Sequence, residues 1–206
     1  VGPDGTVHAA TAGELWRIEL EAEPVSEALD GAGDRDELAI TAVGDRAVVL
    51  NRTSGQVLLP GGRSEPVPAA SEAVLQQPSE ADENVTIATP DALLRQPLGG
   101  GDAAVIEAGG SGDPAAPVQL LGCAYGAWGG SGRYVRDCPG EADDRAQDIP
   151  GGKESGALSF RVNRNVVVLN NLVTGLTWLT DETLTKVENW TEVTPPAKED
   201  EEIDDS

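Results

Sequence analysis

The fold of this chain is decided by residues 49–58, VLNRTSGQVL, because the pattern of this stretch recurs along the sequence. The run 47–50, AVVL, is apolar and largely β-branched, which is typical of a β-strand. The Asn-x-x-x-Gly step that follows supplies residues that tolerate the backbone of a tight turn. Residues 56–58 then begin a returning strand. The stretch therefore predicts a β-hairpin.

Four other segments carry versions of the same strand, turn and strand. They are residues 7–16, 85–94 and 168–178, with a degenerate copy at 124–136. The turn positions of the five copies are Gly13, Gly55, Asp91, Gly132 and Gly175, which are separated by 42, 36, 41 and 43 residues. A period near 40 residues is the length of one four-stranded propeller blade. We therefore predict an all-β, β-propeller-like repeat of about four to five blades, forming either a small ring or part of a larger one.

Each hairpin is expected to have one apolar face that stacks on the next copy. In the returning strand of the first copy, Trp16 and Ile18 alternate with Arg17. The predicted blade-core residues are Trp16, Val49, Leu58, Ile87, Leu94, Trp128, Val168, Trp178 and Trp190. The only helix candidates, residues 27–38 and 71–77, fit better as loops between blades. The alternative fold is a pair of β-sandwich domains, which need strands about every 8–12 residues but no 40-residue period.

The amino-acid composition changes at the C-terminal end of the chain. Residues 1–193 form the predicted propeller-like domain, and residues 194–206 follow as an acidic, proline-containing tail. Pro195 and Pro196 would stop the last strand, and the run EDEEIDDS at 199–206 cannot form a core. We predict a solvated linker here, with a docking tail for a basic partner or calcium as the alternative.

The net charge argues against several partners. The chain has 36 Asp and Glu against 14 Lys and Arg, which gives −22. Such a surface repels phosphate backbones and anionic membranes, so nucleic-acid binding is not expected. No stretch approaches the ~18–20 apolar residues of a membrane span. Since the chain begins with Val1 and has no Met, we expect a piece of a longer protein, with any membrane anchor outside this segment.

The two cysteines, Cys123 and Cys138, flank the degenerate hairpin. This spacing can place the thiols opposite one another on paired strands, which predicts a disulfide. Closing a loop of about 15 residues contributes roughly 3 kcal/mol, and the bond implies an oxidising compartment. The alternatives are free buried thiols or a metal site, although two cysteines would need further ligands and His8 is the only histidine.

No catalytic, cofactor-binding or metal-binding residue is assigned from the sequence. A Ser-His-Asp triad would have to use His8, which lies in a repeat strand and fits a structural or exposed histidine better. Nucleophile-elbow, HExxH, P-loop and calcium-loop motifs are absent. The acidic runs at 30–37, 80–83 and 141–148 fit solvated loops, although a glycosidase-type carboxylate pair stays open. We therefore expect that the chain is not an enzyme.

Two parts of the sequence resemble a known family. One is FRVNRNVVVLNNLVTG at 160–175, continued by Trp178-Leu179 and by VENW at 187–190; the other is GCAYGAW at 122–128, with RDC at 136–138. Together they resemble very large, surface-anchored actinobacterial proteins that contain fibronectin type III or Ig-like domains. The resemblance implies a propeller-like extracellular region between a membrane anchor and an acidic proline linker.

The resemblance implies a non-enzymatic function. The expected role is that of a non-enzymatic, extracellular structural module of a cell-envelope protein, or one that binds a surface protein or glycan, in adhesion or fibre assembly. The alternatives are a carbohydrate-active or ligand-binding propeller that uses its axial face, and a module that self-associates through open blade edges. No cofactor is expected.

Overall fold

The chain folds into five antiparallel β-sheets that follow one another in sequence. The computed structural model describes residues 1–140, 145–152, 157–180 and 183–188, and this part of the chain contains no helix. Sheets 2, 3 and 5 have four strands, whereas sheet 1 has three and sheet 4 has an interrupted first strand. This arrangement confirms the predicted all-β, propeller-like repeat, with one sheet for each sequence copy.

The strand bounds follow the repeat. Sheet 1 contains β1 (Val7–Thr11), β2 (Glu14–Ile18) and β3 (Val25–Ala28), and sheet 2 contains β4 (Leu38–Val43), β5 (Arg46–Asn51), β6 (Gln56–Leu59) and β7 (Arg63–Pro66). Sheet 3 contains β8 (Val74–Leu75), β9 (Asn84–Ala88), β10 (Ala92–Pro97) and β11 (Ala104–Glu107). Sheet 4 contains β12 (Asp113–Pro114), β13 (Val118–Leu120), β14 (Cys123–Gly129), β15 (Arg133–Asp137) and β16 (Arg145–Asp148). Sheet 5 contains β17 (Leu158–Asn163), β18 (Val166–Asn171), β19 (Thr177–Thr180) and β20 (Leu184–Lys186).

The hairpin recognised in the sequence joins the second and third strands of sheets 2 to 5. In sheet 1 it joins β1 to β2, because this sheet has no strand at the position that β4 occupies in sheet 2. The Asn-x-x-x-Gly turns close alike: Thr53 N and Ser54 N donate to Asn51 Oδ1 at 3.1 and 3.0 Å. The backbone amides of residues 173 and 174 donate to Asn171 Oδ1 in the same way. In both turns, the side chain of the repeated asparagine therefore holds the turn backbone in place.

The first strands of sheets 2, 3 and 4 follow one another through contacts between their ends. Val43 of β4 bridges in parallel to Ser79, just beyond β8, and Ser79 N donates to Ala42 O at 3.1 Å. Gln77 N donates to Pro117 O of sheet 4 at 2.8 Å. The ends of these strands therefore meet around a common axis, as in a propeller.

Every pair of neighbouring sheets encloses its own hydrophobic cluster. Leu58 of sheet 2 packs with Leu15 of sheet 1. The next three clusters join sheets 2 and 3, sheets 3 and 4, and sheets 4 and 5. Aliphatic residues fill the first two of these interfaces, and Trp128 and Trp178 fill the last two. No cluster of the described residues joins sheet 5 to sheet 1.

Two sequence interpretations need adjustment. Residues 27–38 connect two sheets, as predicted, but their ends belong to β3 and β4. The interpretation of residues 71–77 as a loop was wrong in part, since Val74 and Leu75 pair with β9 as the short strand β8. Trp190 and the predicted linker at 194–206 lie outside the described residues. In the part of the chain that is described, no helix is long and apolar enough to cross a membrane.

The predicted disulfide is confirmed. Cys123 begins β14 and Cys138 follows β15 directly, with their Cα atoms 4.2 Å apart. The register of this hairpin pairs Ala124 with Asp137, so the bond links the two strands at the first position beyond that pair. It braces the hairpin at the end opposite its glycine-containing turn.

Removal of this bond is expected to lower the free energy of unfolding by about 3 kcal/mol, because the unfolded chain regains the freedom of a loop of roughly 15 residues. Urea denaturation of the double variant Cys123→Ser/Cys138→Ser, compared with the oxidised protein, measures this difference. Reductant should shift the midpoint of the native protein and leave the double variant unchanged. Equal midpoints for both proteins would contradict the expectation.

Candidate functional site: a groove at the propeller axis

A groove of about 420 Å³ opens where the first strands of sheets 3, 4 and 5 end. We call it the axial groove. Its polar lining residues are Gln77, Ser79, Glu80, Asp82, Gln119, Arg161 and Arg164, and its apolar ones include Val118, Leu121 and Val162. Residues from three sheets thus converge here although they lie far apart in the sequence.

The floor of the axial groove is a network of amide and hydroxyl groups. Gln76 Nε2 donates to Ser79 Oγ at 2.8 Å, and Ser79 Oγ lies 3.4 Å from Gln119 Oε1. Gln119 Nε2 donates to Asn84 O at 3.2 Å. Gln77 Nε2 donates to Phe160 O at 3.1 Å and so ties sheet 3 to sheet 5. Hydrogen bonds of this kind between several strands favour one arrangement of the groove floor.

The turns at the rim of the axial groove hold two residues in an unfavourable backbone conformation. Leu121 has φ 53° and Arg164 has φ 54°, in the left-handed region that favours glycine. Gly44, with φ 62°, stands at the matching place in sheet 2, since each of the three lies 11 residues before a repeat turn glycine. Backbone strain of this kind is concentrated at binding and catalytic sites.

Both strained residues present their side chains to solvent. Leu121 is 76% exposed, and Arg164 is exposed as well. In the described part of the chain, neither the Arg164 guanidinium nor the Glu80 carboxylate forms a side-chain hydrogen bond or ion pair. Arg161 is engaged already, with Nη1 donating to Ser159 Oγ at 2.9 Å and to Phe160 O at 3.0 Å. Among its two arginines and two carboxylates, the groove therefore offers the Arg164 guanidinium and the Glu80 carboxylate to a ligand, together with the apolar side chain of Leu121.

A second groove, of about 470 Å³, lies between sheets 1 and 2. Its apolar lining includes Leu15 and Leu58, and its charged lining includes Arg17 and Asp45. His8 lines it too, with Nε2 buried and without a hydrogen-bond partner among the described residues. Burial lowers the pKa of His8 below its ordinary value of 6.5, and the positive charges of the N-terminus and Arg17 lower it further.

The lowered pKa of His8 predicts a loss of stability on acidification. The unfolded chain takes up the proton first, so the free energy of unfolding rises with pH near 6.5 and falls as the pH drops below it. Asp4 and Asp45 oppose this effect weakly, because their charges favour the protonated imidazole. His8→Gln should flatten the dependence of the melting temperature on pH in this range. A variant whose pH dependence matches that of the native protein would contradict the assignment.

The predicted turn residues occupy the hairpin turns. Gly13, Gly55, Gly132 and Gly175 all have positive φ, between 65° and 77°. Asp91 does not, because its turn closes differently: Ala92 N donates to Thr89 Oγ1, and Thr89 Oγ1 donates to Asp91 Oδ1. Glycine is needed in the four turns where the backbone is left-handed.

The predicted core residues divide into three groups. The fully buried ones pack between sheets; they are Val49, Leu58, Ile87, Leu94, Trp128 and Trp178. Trp16 and Val168 are only partly buried, on the outward faces of sheets 1 and 5. Trp190 lies outside the described residues.

The residues of the axial groove were not identified from the sequence. Amide, hydroxyl and arginine side chains in three separate sheets form no local motif. A signal was nevertheless present, because Leu121 and Arg164 precede Gly132 and Gly175 by the same 11 residues. Within the described residues, no group of three or more His, Cys, Asp and Glu side chains could hold a metal ion.

Comparison with solved structures shows the β-propeller fold. Virginiamycin B lyase from Staphylococcus aureus matches with a TM-score of 0.63 and 11% identity, over 91% of this chain and 68% of that one. Hsv2 from Kluyveromyces lactis matches with a TM-score of 0.57 and 9% identity, over 89% and 58%. BBS1N in complex with ARL6DN matches with a TM-score of 0.52 and 15% identity, over 88% and 63%.

These similarities establish the fold and nothing about function, because the sequence identities are low. The chain spans about two thirds of the lyase and less than two thirds of the other two structures. No protein-family model matches the chain, and no curated protein matches it.

Proposed function

We propose that this chain is a non-enzymatic binding module of an extracytoplasmic, surface-anchored protein, and that it takes an extended peptide segment of a protein partner in the axial groove. The observation that carries the proposal is the pair of strained, exposed residues at the groove rim, Leu121 and Arg164. Glycine would relieve the backbone at both positions, as Gly44 does in sheet 2. A leucine and an arginine there cost stability, so a role at the surface accounts for them.

The chemistry of the groove favours a peptide over a sugar. A peptide supplies amides for the amide-lined floor, an apolar side chain for Leu121 and charges for Arg164 and Glu80. No aromatic ring stands among the lining residues to stack on a sugar face. The disulfide supports a location outside the cytosol. One fold neighbour, BBS1N, is itself a protein-bound propeller-like structure, in complex with ARL6DN.

The test is selection of peptides from a displayed random library on the whole chain, followed by titration calorimetry of the selected peptide with three variants. Arg164→Gly and Leu121→Gly are expected to weaken binding at least tenfold. Each should also raise the stability by up to about 1 kcal/mol, because the left-handed backbone no longer carries a Cβ.

Glu21→Gly is the matched control. Glu21 has φ 68° and is exposed, but it lies outside the axial groove. This variant should gain similar stability and bind the peptide like the native protein. Unchanged peptide affinity in both groove variants would overturn the proposal. A glycan whose affinity falls in those variants, in the absence of any peptide ligand, would replace the peptide by a sugar.

A further inference from the structure

The groove between sheets 1 and 2 lies where the other pairs of neighbouring sheets contain a buried polar side chain. This side chain stands five residues after the turn position of the later sheet, and alternation along the strand points it toward the preceding sheet. It is Gln96 in sheet 3, Asp137 in sheet 4 and Thr180 in sheet 5. Gln96 and Thr180 are each 3% exposed, and the Asp137 side chain is 14% exposed. Sheet 2 has Pro60 at this position, and Pro60 lines the groove.

The interface between sheets 3 and 4 shows which partner this polar group can have. Arg95 stands four residues after its turn position, and its guanidinium lies 3.0 Å from Asp137 Oδ2 and donates to Gly122 O at 3.2 Å. Arg17 occupies the same position in sheet 1, and Asp45 occupies in sheet 2 the position that Gly122 has in sheet 4. Arg17 and Asp45 both line the groove. The groove therefore contains an arginine of the Arg95 type but no carboxylate at the place of Asp137.

Arg17 retains donors for a ligand. It forms an ion pair with Glu19 at the surface, where the Arg17 side chain is 53% exposed. An exposed pair of this kind contributes little to stability, and a guanidinium has five N–H donors. His8 lies directly opposite Arg17, and its Nε2 is buried without a hydrogen-bond partner among the described residues. A ligand carboxylate in the groove can accept hydrogen bonds from Arg17 and from the Nε2–H tautomer of His8.

The same wall of the groove supplies an anion and an apolar surface. Glu27 of β3 lies diagonally across from Arg17 of β2, because the register pairs Glu27 with Leu15. Diagonal neighbours on one face of a sheet are about 7–8 Å apart. Glu27 is exposed, and Leu15 and Leu58 line the groove beside it. A cation, an anion and an apolar surface therefore lie within the reach of one small molecule.

We propose that the groove between sheets 1 and 2 binds a free α-amino acid with an apolar side chain. The carboxylate of the ligand takes the place on Arg17 that the Asp137 carboxylate takes on Arg95. The ammonium group of the ligand pairs with Glu27, and its side chain lies against Leu15. A ligand with both charges matches a lining in which three arginines accompany three carboxylates: Arg17, Arg46, Arg63, Glu27, Asp30 and Asp45. The site shares no lining residue with the axial groove, so it is independent of the proposed peptide partner.

NMR titration of the whole chain with L-leucine tests the proposal. Saturable binding of leucine is expected. Leucinamide lacks the carboxylate and 4-methylpentanoate lacks the ammonium group, so each should bind more weakly by about tenfold or more. The absence of saturable leucine binding would overturn the proposal. Equal affinity for leucine and for either analogue would overturn the assignment of an amino acid.

Two variants remove the carboxylate contact in opposite ways. Arg17→Leu removes the guanidinium and introduces the residue type that sheet 2 has at this position, Leu59. Pro60→Asp supplies a carboxylate from within the chain at the position of Asp137, so that Arg17 is already paired. Both variants should weaken leucine binding by about tenfold or more.

Arg52→Leu is the matched control, because Arg52 is an arginine of sheet 2 whose ion pair with Glu37 lies outside the groove. This variant should bind leucine like the native protein, and melting temperatures establish that each variant is folded. Native affinity for leucine in a folded Arg17→Leu or Pro60→Asp variant would overturn the proposal. An equal loss of leucine binding in the control would overturn it as well.

Discussion

Replacement of Trp128 by alanine is expected to lower the free energy of unfolding by about 3–5 kcal/mol. The side chain is completely buried between sheets 3 and 4, and its Nε1 donates to Thr89 O at 2.7 Å. Its ring lies over Gly126, where an added Cβ would come within 2.8 Å of Trp128 Cη2 and 2.9 Å of Leu93 Cδ1. A cavity between two sheets that are packed so closely cannot collapse easily, so most of the lost contact energy is not recovered.

Urea denaturation of the native protein and of Trp128→Ala measures this loss. Trp16→Ala is the matched control, since the same residue type on the uncovered face of sheet 1 should lose much less stability. Trp128→Phe should fall between the two, because the ring volume is largely kept while the carbonyl of Thr89 loses its donor, at a cost of about 1–3 kcal/mol. Similar losses for Trp128→Ala and Trp16→Ala would contradict the assigned packing.

The comparison of these two tryptophans shows what the sequence could predict. Trp16 and Trp178 stand three places after a turn glycine, so alternation along the strand predicts one apolar face for both. Burial, however, depends on whether another sheet lies against that face. Trp178 has sheet 4 against it and donates from Nε1 to Pro150 O at 3.0 Å, whereas Trp16 has no such neighbour among the described residues. The local sequence pattern therefore predicts which face of a strand is apolar. Whether that face is buried depends on how the sheets are arranged in the tertiary structure.

The two strands of each repeat hairpin were predictable because most of the turns that join them have strong local signals. Positive φ requires glycine at Gly55 and Gly175, and the Asn side chains close those turns. The first strands lack such signals. β8 has only two residues, and β12 and β13 are separated by Ala115–Pro117, so neither shows a period of two. These weak strands line the axis, which explains why the axial groove did not emerge from the sequence.

Loss of the Asp137 carboxylate is expected to cost about 3–5 kcal/mol, because it would leave the Arg95 guanidinium buried without a counter-charge. Arg95 Nη1 lies 3.0 Å from Asp137 Oδ2, and the two side chains are only 10% and 14% exposed. Arg95 Nη2 also donates to Gly122 O at 3.2 Å. The pair therefore joins β10 to β15 and holds the turn that presents Leu121 to the axial groove.

Chemical denaturation of Asp137→Ala, of Arg95→Leu/Asp137→Leu and of Glu37→Ala separates charge burial from packing. The double variant should recover most of the stability that Asp137→Ala loses, since no unpaired charge remains in the interface. Glu37→Ala breaks the ion pair between Glu37, whose side chain is 67% exposed, and Arg52, whose side chain is 26% exposed. This loss should cost at most about 1 kcal/mol. If the double variant is as unstable as Asp137→Ala, the loss comes from packing and the unpaired charge does not explain it.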